Sequence, residues 1–342
     1  MTDKPREQRA NVTRNDVARL AGVSTAVVSH VLNGTKRVSP QTSARVNDAV
    51  AMLGYRPNRT ARSLRMGSSE MLGMVVPDAT NQFFSTLAYE VERVAGERGY
   101  TILIANADGS LRMERRQLEL LVSRGVDGLF VCSNVAEPDV RELQDAHIPV
   151  VLLNQFDRQP GVSSVGVDLF RGAADAVAHL AEHGHRTIGF VEGRTFAGIG
   201  DAREAGWRCA ITEGGLTAGP VVLEPFSARG GYEAGQRLVN EGTLPSALFV
   251  GSDQLGIGLL RALHEAGVRV PEDVAIVSFD GTIESEFCWP PLTTMAQPID
   301  LMARAAVDAL IDNDARKTNQ VFLPTLIRRV SCGCVTHGTM GE

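Results

Sequence analysis

The sequence predicts a small all-α unit followed by two α/β units in tandem, and three observations carry that prediction. A turn-linked pair of helices is readable in residues 13–33, and from Leu72 onward short apolar runs alternate with helical patterns. The third observation is charge. Residues 1–66 hold twelve Lys or Arg against four Asp or Glu, a net of +8, whereas the rest of the 342-residue chain carries −14. A basic small unit can neutralise phosphates and release their counterions, while an acidic body stays clear of them.

The helix pair lies in TRNDVARLAGVSTAVVSHVLN, Thr13 to Asn33. Thr13 can cap the N–H of Asp16, and an acid in the first turn suits the helix dipole. Val17, Leu20 and Ala21 then give one apolar face, Gly22 supplies the turn and Ser24 caps the second helix. In that second helix Val27, Val28 and Val31 share one side, while Thr25, Ala26, Ser29, His30 and Asn33 occupy the other. Small polar side chains facing outward let a helix enter the major groove and offer hydroxyls and an imidazole to base edges. Lys36 follows in a basic loop. Ser39-Pro40 opens a third helix with Val46, Ala49, Val50 and Leu53 on its stripe, and Gly54 closes it.

Residues 1–12 are polar and unpatterned, a flexible arm. After the helix-turn-helix unit of 13–57, Asn58 can cap a two-turn helix bearing Arg59, Arg62 and Arg65, with Leu64 as an apolar wedge for a minor-groove step. Such a helix is too short to persist alone and folds only when held. With Gly67-Ser68-Ser69 it makes a hinge helix and linker over 58–69, leaving 70–342 as the body.

In the body LGMVVP, TILIAN, GLFVC and PVVLL read as buried parallel strands, with helices near 84–98, 113–124 and 137–146. A second series assigns SVGV, TIGFV, VVLE, ALFV and VAIVSF to strands and 169–183, 200–214, 229–241 and 253–267 to helices. Two doubly wound parallel sheets in tandem make a bilobed body, and ligands bind such sheets at the carboxyl ends of the strands.

Several function classes are disfavoured. Neither an 18-residue apolar run nor an apolar stretch behind the N-terminal charges is present, so no membrane partner is expected and the cytoplasm is the expected compartment. The five cysteines are scattered and read as free thiols, and nothing near Cys332 and Cys334 completes a metal site. His179, His183 and His185 read as a helix C-terminus, where they complement the dipole, rather than as metal ligands. Neither a GxGxxG nor a GxxxxGK[ST] loop supports a nucleotide cofactor, and no nucleophile-base signature supports an enzyme. No catalytic, cofactor or metal residue is therefore assigned. A small-molecule carrier would have no use for the basic helical unit. The tail after Val330 lacks heptad leucines, which argues for a dimer over a coiled-coil tetramer.

The runs DVARLAGVSTAVVSHVLNG, VSPQTSARV, GYRPNRTARSL, LGMVVPD, DGLFV, GHRTIGFV, VAIVSFD and PLTTMAQP together resemble the lactose-repressor and galactose-repressor family of bacterial transcription regulators over nearly the whole chain. The resemblance implies an all-α helix-turn-helix DNA-binding domain with a hinge helix, then a bilobed body like the periplasmic binding proteins. Its first lobe would take about 70–166 and 297–322, its second about 167–296 and 323–342. It implies a homodimer on operator DNA, base reading through Thr25, Ala26 and His30, and Leu64 as the hinge leucine. It also implies a small-molecule effector, a sugar or a nucleoside or purine, between the lobes at Phe83, Phe84, Asn154, Arg203, Phe226, Ser252, Asp253, Asp280 and Gln297. The chain departs from the family at Asn154, where an acid is common, and at Leu169, where an asparagine often stands. Trp289 is a further candidate cleft aromatic.

Overall fold

The computed structural model describes residues 12–55, 67–133, 140–154, 161–194, 202–312 and 318–334. The chain divides into two compact units at Ser69/Glu70.

Helices α1 (Arg14–Ala21), α2 (Thr25–Asn33) and α3 (Pro40–Leu53) make the first unit. The Asp16 carboxylate reaches back to accept from the N–H (3.0 Å) and the hydroxyl (2.6 Å) of Thr13. Gly22 and Gly54 end α1 and α3 at φ 65° and 60°, a region that glycine enters without steric cost. Each is followed by a 6→1 bond, Val23 N–H to Ala18 O (3.0 Å) and Tyr55 N–H to Val50 O (3.0 Å). Ser24 and Ser39 cap the other two helices as expected. The small core gathers Val17, Ala18, Ala21, Val28, Val46, Ala49 and Tyr55. Leu20 is not part of it, being 51% exposed. The buried face of α1 runs i, i+1, i+4 through Ala18 instead, because a methyl at that position lets α3 approach. Tyr55 enters the core as the apolar residue after the α3 cap, inside the 13–57 unit but off the apolar stripe read for α3.

In the second unit six strands form the first sheet: β1 (Met71–Val76), β2 (Thr101–Asn106), β3 (Leu129–Val131), β4 (Val150–Leu153), β5 (Ser163–Val167) and β11 (Asn319–Phe322). Their order is β11-β5-β4-β3-β1-β2 and every pairing is parallel. The second sheet runs β12-β10-β9-β8-β6-β7, built from β6 (Thr187–Gly193), β7 (Thr217–Glu224), β8 (Ala247–Val250), β9 (Ala275–Asp280), β10 (Thr293–Ala296) and β12 (Thr325–Ile327). Only β12 joins antiparallel, against β10. SVGV is a correction: it pairs with β4 in the first sheet and opens no new series. A buried apolar strand carries no mark of the sheet it belongs to; only the pairing assigns it.

Crossover helices cover both sheets. On the first lie α4 (Gln82–Glu97), α5 (Leu111–Ser123), α6 (Arg141–Asp145) and, from later in the chain, α12 (Ile299–Ile311), whose Met302, Ala303, Ala306 and Val307 join the core of α4 and β1. The second carries α7 (Leu169–Glu182), α8 (Ala202–Glu213), α9 (Ala228–Asn240) and α10 (Asp253–Glu265), with the short α11 (Ile283–Phe287) after β9. The chain therefore passes between lobes near 168, 297 and 323. At the first and third passages it runs side by side, with the Asp168 N–H donating to the Phe322 carbonyl at 2.9 Å.

Candidate functional site

On α2 the outward face is laid out as the sequence implies. Thr25, Ala26 and Asn33 are exposed, Ser29 and His30 half-exposed, and Lys36 is exposed in the loop beyond. His30 Nδ1 is hydrogen-bonded to the Thr35 hydroxyl at 2.9 Å, which fixes the ring and leaves Nε2 as the nitrogen this bond does not use. Asn33 donates to the Ser29 hydroxyl at 3.0 Å, so these two act as one polar patch. Asn58, Arg59, Arg62 and Leu64 lie outside the described residues.

Between the lobes is a cavity of about 650 Å³, within the usual range for small-molecule sites. Phe83, Phe84, Asn154, Arg203, Phe226, Ser252, Asp280 and Gln297 all line it. Asp253 does not. Its buried carboxylate accepts from the hydroxyls of Ser278 (2.5 Å), Thr294 (2.7 Å) and Thr282 (3.0 Å) and from the Thr282 N–H (2.6 Å). It binds β9, β10 and the turn before α11 together through four converging donors; burial nonetheless holds this carboxyl above the ordinary carboxylate range, the hydrogen bonds opposing. Trp289 is also removed from the candidates, being 88% exposed and away from the cavity. The sequence reading missed Pro77, Asp78, Asp108, Gly109 and Arg194, which follow β1, β2 and β6 and also line it. The rule that strand carboxyl ends face the ligand points to these five, two of them, Pro77 and Asp78, at the end of the LGMVVPD run.

Arg203 organises the second-lobe wall. From the first turn of α8 its Nη1 donates to the Gly251 carbonyl at 2.6 Å, its Nε pairs with Glu192 at 3.3 Å, and the guanidinium lies 5.1 Å from the Phe226 ring and 5.7 Å from Phe279. Glycines make room. A Cβ on Gly193 would overlap the Phe226 ring and one on Gly251 the Glu192 carboxylate, so both strand ends must lack side chains. Asn154 and Asp280 stand at the ends of β4 and β9 with φ of 63° and 111°, backbone conformations that L residues rarely adopt, and both face the cavity.

Gln297 donates to Asp280 at 2.9 Å. Burial, and then the charge of Asp253, push the Asp280 carboxyl up from its ordinary 3.8 to about 8, with Arg203 opposing. Between about pH 4 and pH 8 the folded chain thus holds a proton that the unfolded chain has lost, so this group's contribution to stability falls as pH rises through that window and is level above it. Asp280→Asn should remove that slope. Thermal midpoints of the two proteins should converge toward pH 5 and separate toward pH 8 with the variant higher; parallel curves would contradict the assignment.

A second cluster corrects the sequence reading. His179, His183, Cys332 and Cys334 come together, with one ligand atom from each within 4.8 Å of the others, so the two cysteines do have completing neighbours. His185 is elsewhere, bonded to the Ser246 hydroxyl at 3.1 Å.

Residues 13–58 match the model of the bacterial regulatory proteins of the lacI family, and 177–332 match a periplasmic binding protein-like domain. Catabolite control protein A of Priestia megaterium is 36% identical over 84% of this chain and 88% of its own length. The chain belongs to the lacI family. It is a transcriptional regulator rather than an enzyme. The ribose operon repressor of Escherichia coli K12 is 34% identical, covering 90% of this chain and 94% of its own. Among solved structures, the lac repressor dimer bound to operator and the anti-inducer ONPF superposes with a TM-score of 0.84 at 28% identity, over 94% of this chain and 99% of that one. Among the described residues of this lacI-family regulator no helix is long and apolar enough to cross a membrane.

Proposed function

We propose that this regulator represses transcription as a homodimer on a near-palindromic operator in the bacterial cytoplasm and nucleoid, with a sugar-sized ligand in the inter-lobe cavity setting its affinity. The cavity wall supports the ligand class. Arg203, Asp280, Asn154 and Gln297 offer directional donors and acceptors in the same cavity as the rings of Phe83, Phe84 and Phe226, a combination that receives the polar edge and the apolar face of a pyranose or furanose. A free purine base fits the same chemistry less fully, since it brings no hydroxyls to the buried carboxyl. A thermal-shift screen of sugars, nucleosides and purines separates the two, because a ligand that binds only the folded state raises the midpoint.

The exposed face of α2 supports the DNA reading. Thr25 and His30 carry the direct readout, while Ala26 offers only a methyl, suited to a thymine methyl. Ser29 and Asn33 pair with each other and tend toward the backbone, and Lys36 with Arg59 and Arg62 supplies phosphate contacts. Leu64, outside the described residues, is the candidate wedge for the central base step. Selection from random duplexes should return a near-palindrome with half-sites one helical turn apart. His30→Ala should then relax preference at one position of each half-site by about 1–3 kcal/mol and leave the others alone. A selection that enriches nothing over random duplex would remove the reading.

A further inference from the structure

The cluster at the far end of α7 is unrelated to either the cavity or the recognition helix. His179 and His183 stand four residues apart at the end of α7, hence on one face, and their rings meet edge to face at 4.7 Å. Against them lies the turn after β12. That turn is held rigidly: Ser331 donates its hydroxyl to the Ile276 carbonyl at 2.7 Å and accepts from the Thr293 N–H at 2.8 Å. Gly333, at φ 88°, bends the chain between Cys332 and Cys334.

The distances form a pattern. His179 Nε2 lies 3.3 Å from Cys332 Sγ and 3.6 Å from Cys334 Sγ, and His183 Nε2 lies 3.3 Å from Cys334 Sγ. Zinc at about 2.3 Å from sulfur and about 2.0–2.1 Å from nitrogen, with tetrahedral angles, separates nitrogen from sulfur by about 3.6 Å. Three edges of the tetrahedron therefore already agree with an ion at its centre to within a few tenths of an ångström. Cys332 also accepts from the Thr293 hydroxyl at 3.0 Å, a bond that a coordinated thiolate keeps. Its contact with the Arg329 carbonyl, at 3.6 Å, is the one that deprotonation gives up. His179 is buried with Nδ1 unpartnered among the described residues, so its polar engagement is with the two sulfurs.

We propose that His179, His183, Cys332 and Cys334 form a Cys2His2 site for one zinc ion, which clamps the segment after β12 to α7. On binding, each thiol loses its proton to solvent, the imidazoles coordinate as neutral rings, and the two thiolates balance the charge of the dication. A neutral site suits its position, half in the second-lobe core through Cys332 and half at the surface through His183. The C-terminal end of α7 adds negative potential that favours a cation there. Exposed His183 gives the ion a way in.

The full-length protein, reduced and dialysed against chelator, should take up one zinc per chain by elemental analysis. Cobalt(II) in its place should give a thiolate-to-cobalt charge-transfer band with the intense visible bands of tetrahedral coordination. Cys334→Ser and His183→Ala should each lose the charge-transfer intensity or tetrahedral spectrum and weaken zinc binding on the order of 100-fold or more. Both positions are at least partly exposed, so the variants should keep the wild-type circular dichroism. His185→Ala, outside the cluster, should bind as the wild type does. A cobalt spectrum without thiolate character in the reduced wild type, or unchanged zinc affinity in Cys334→Ser, would overturn the proposal. So would reduced protein that takes up no metal and, on exposure to air, simply forms a Cys332–Cys334 disulfide.

Discussion

Arg203→Ala should abolish the ligand response and lower stability by about 3–5 kcal/mol, the cost of leaving a buried partner charge without its counterion. The guanidinium faces the cavity on one side and Glu192 on the other, both side chains being nearly inaccessible, at 10% and 2%. Losing it removes the proposed ligand donor, the cation over Phe226, and the bond to the Gly251 carbonyl at once. The two consequences are separable. Pairing Arg203→Gln with Glu192→Gln removes both charges, so the double variant should recover most of the stability while its midpoint stays insensitive to ligand. A double variant that regains the ligand shift would show that Arg203 serves only the fold.

Gly258→Val is the other substitution with a large expected effect. Helices α9 and α10 approach so closely that a Cβ on Gly258 would overlap the Ala228 carbonyl, and one on Gly231 the Leu255 carbonyl. These neighbours are backbone and cannot rotate aside, so the helices must separate and open the core of Ala234, Leu238, Leu255 and Leu259. The cost should reach about 3 kcal/mol or more, at the upper end of overpacking effects. In a body of this size that corresponds to a thermal midpoint lower by roughly 6–12 °C. Gly267→Ala is the contrast: nothing lies within 4 Å of its Cβ, and only its φ of 74° resists substitution. A Gly258→Val protein melting with the wild type would mean that the helices are not in this register.

What the sequence made legible follows from how local each signal is. Caps and turns at Ser24, Gly22, Ser39 and Gly54 depend on residues within a few positions of one another, and all four stand as read. Eight cavity residues were reached through family correspondence, because strand ends from both lobes meet only after folding. Asp253 was assigned to the ligand by the same family correspondence, and a carboxylate at a helix start looks the same in sequence whether it meets a ligand or three buried hydroxyls from β9, β10 and their connection. The metal cluster was the least legible feature. His179 and Cys332 are separated by 153 residues and meet only because the chain returns to the second lobe through β12, laid antiparallel on β10. An H-x3-H pair at a helix end has a sufficient local explanation, and nothing near it in sequence suggests otherwise.

Coupling between the cavity and the DNA-binding unit is the core of the account. A ligand that favours one lobe geometry should shift the hinge between its held and unheld states only by the difference in its affinity for the two. The direct measurement is operator affinity, at fixed salt, with and without a saturating amount of the best ligand from the thermal-shift screen. The account predicts a change on the order of 5- to 150-fold, lost in the charge-neutral Arg203→Gln/Glu192→Gln protein, which still binds operator. Equal operator affinity with and without saturating ligand would contradict it.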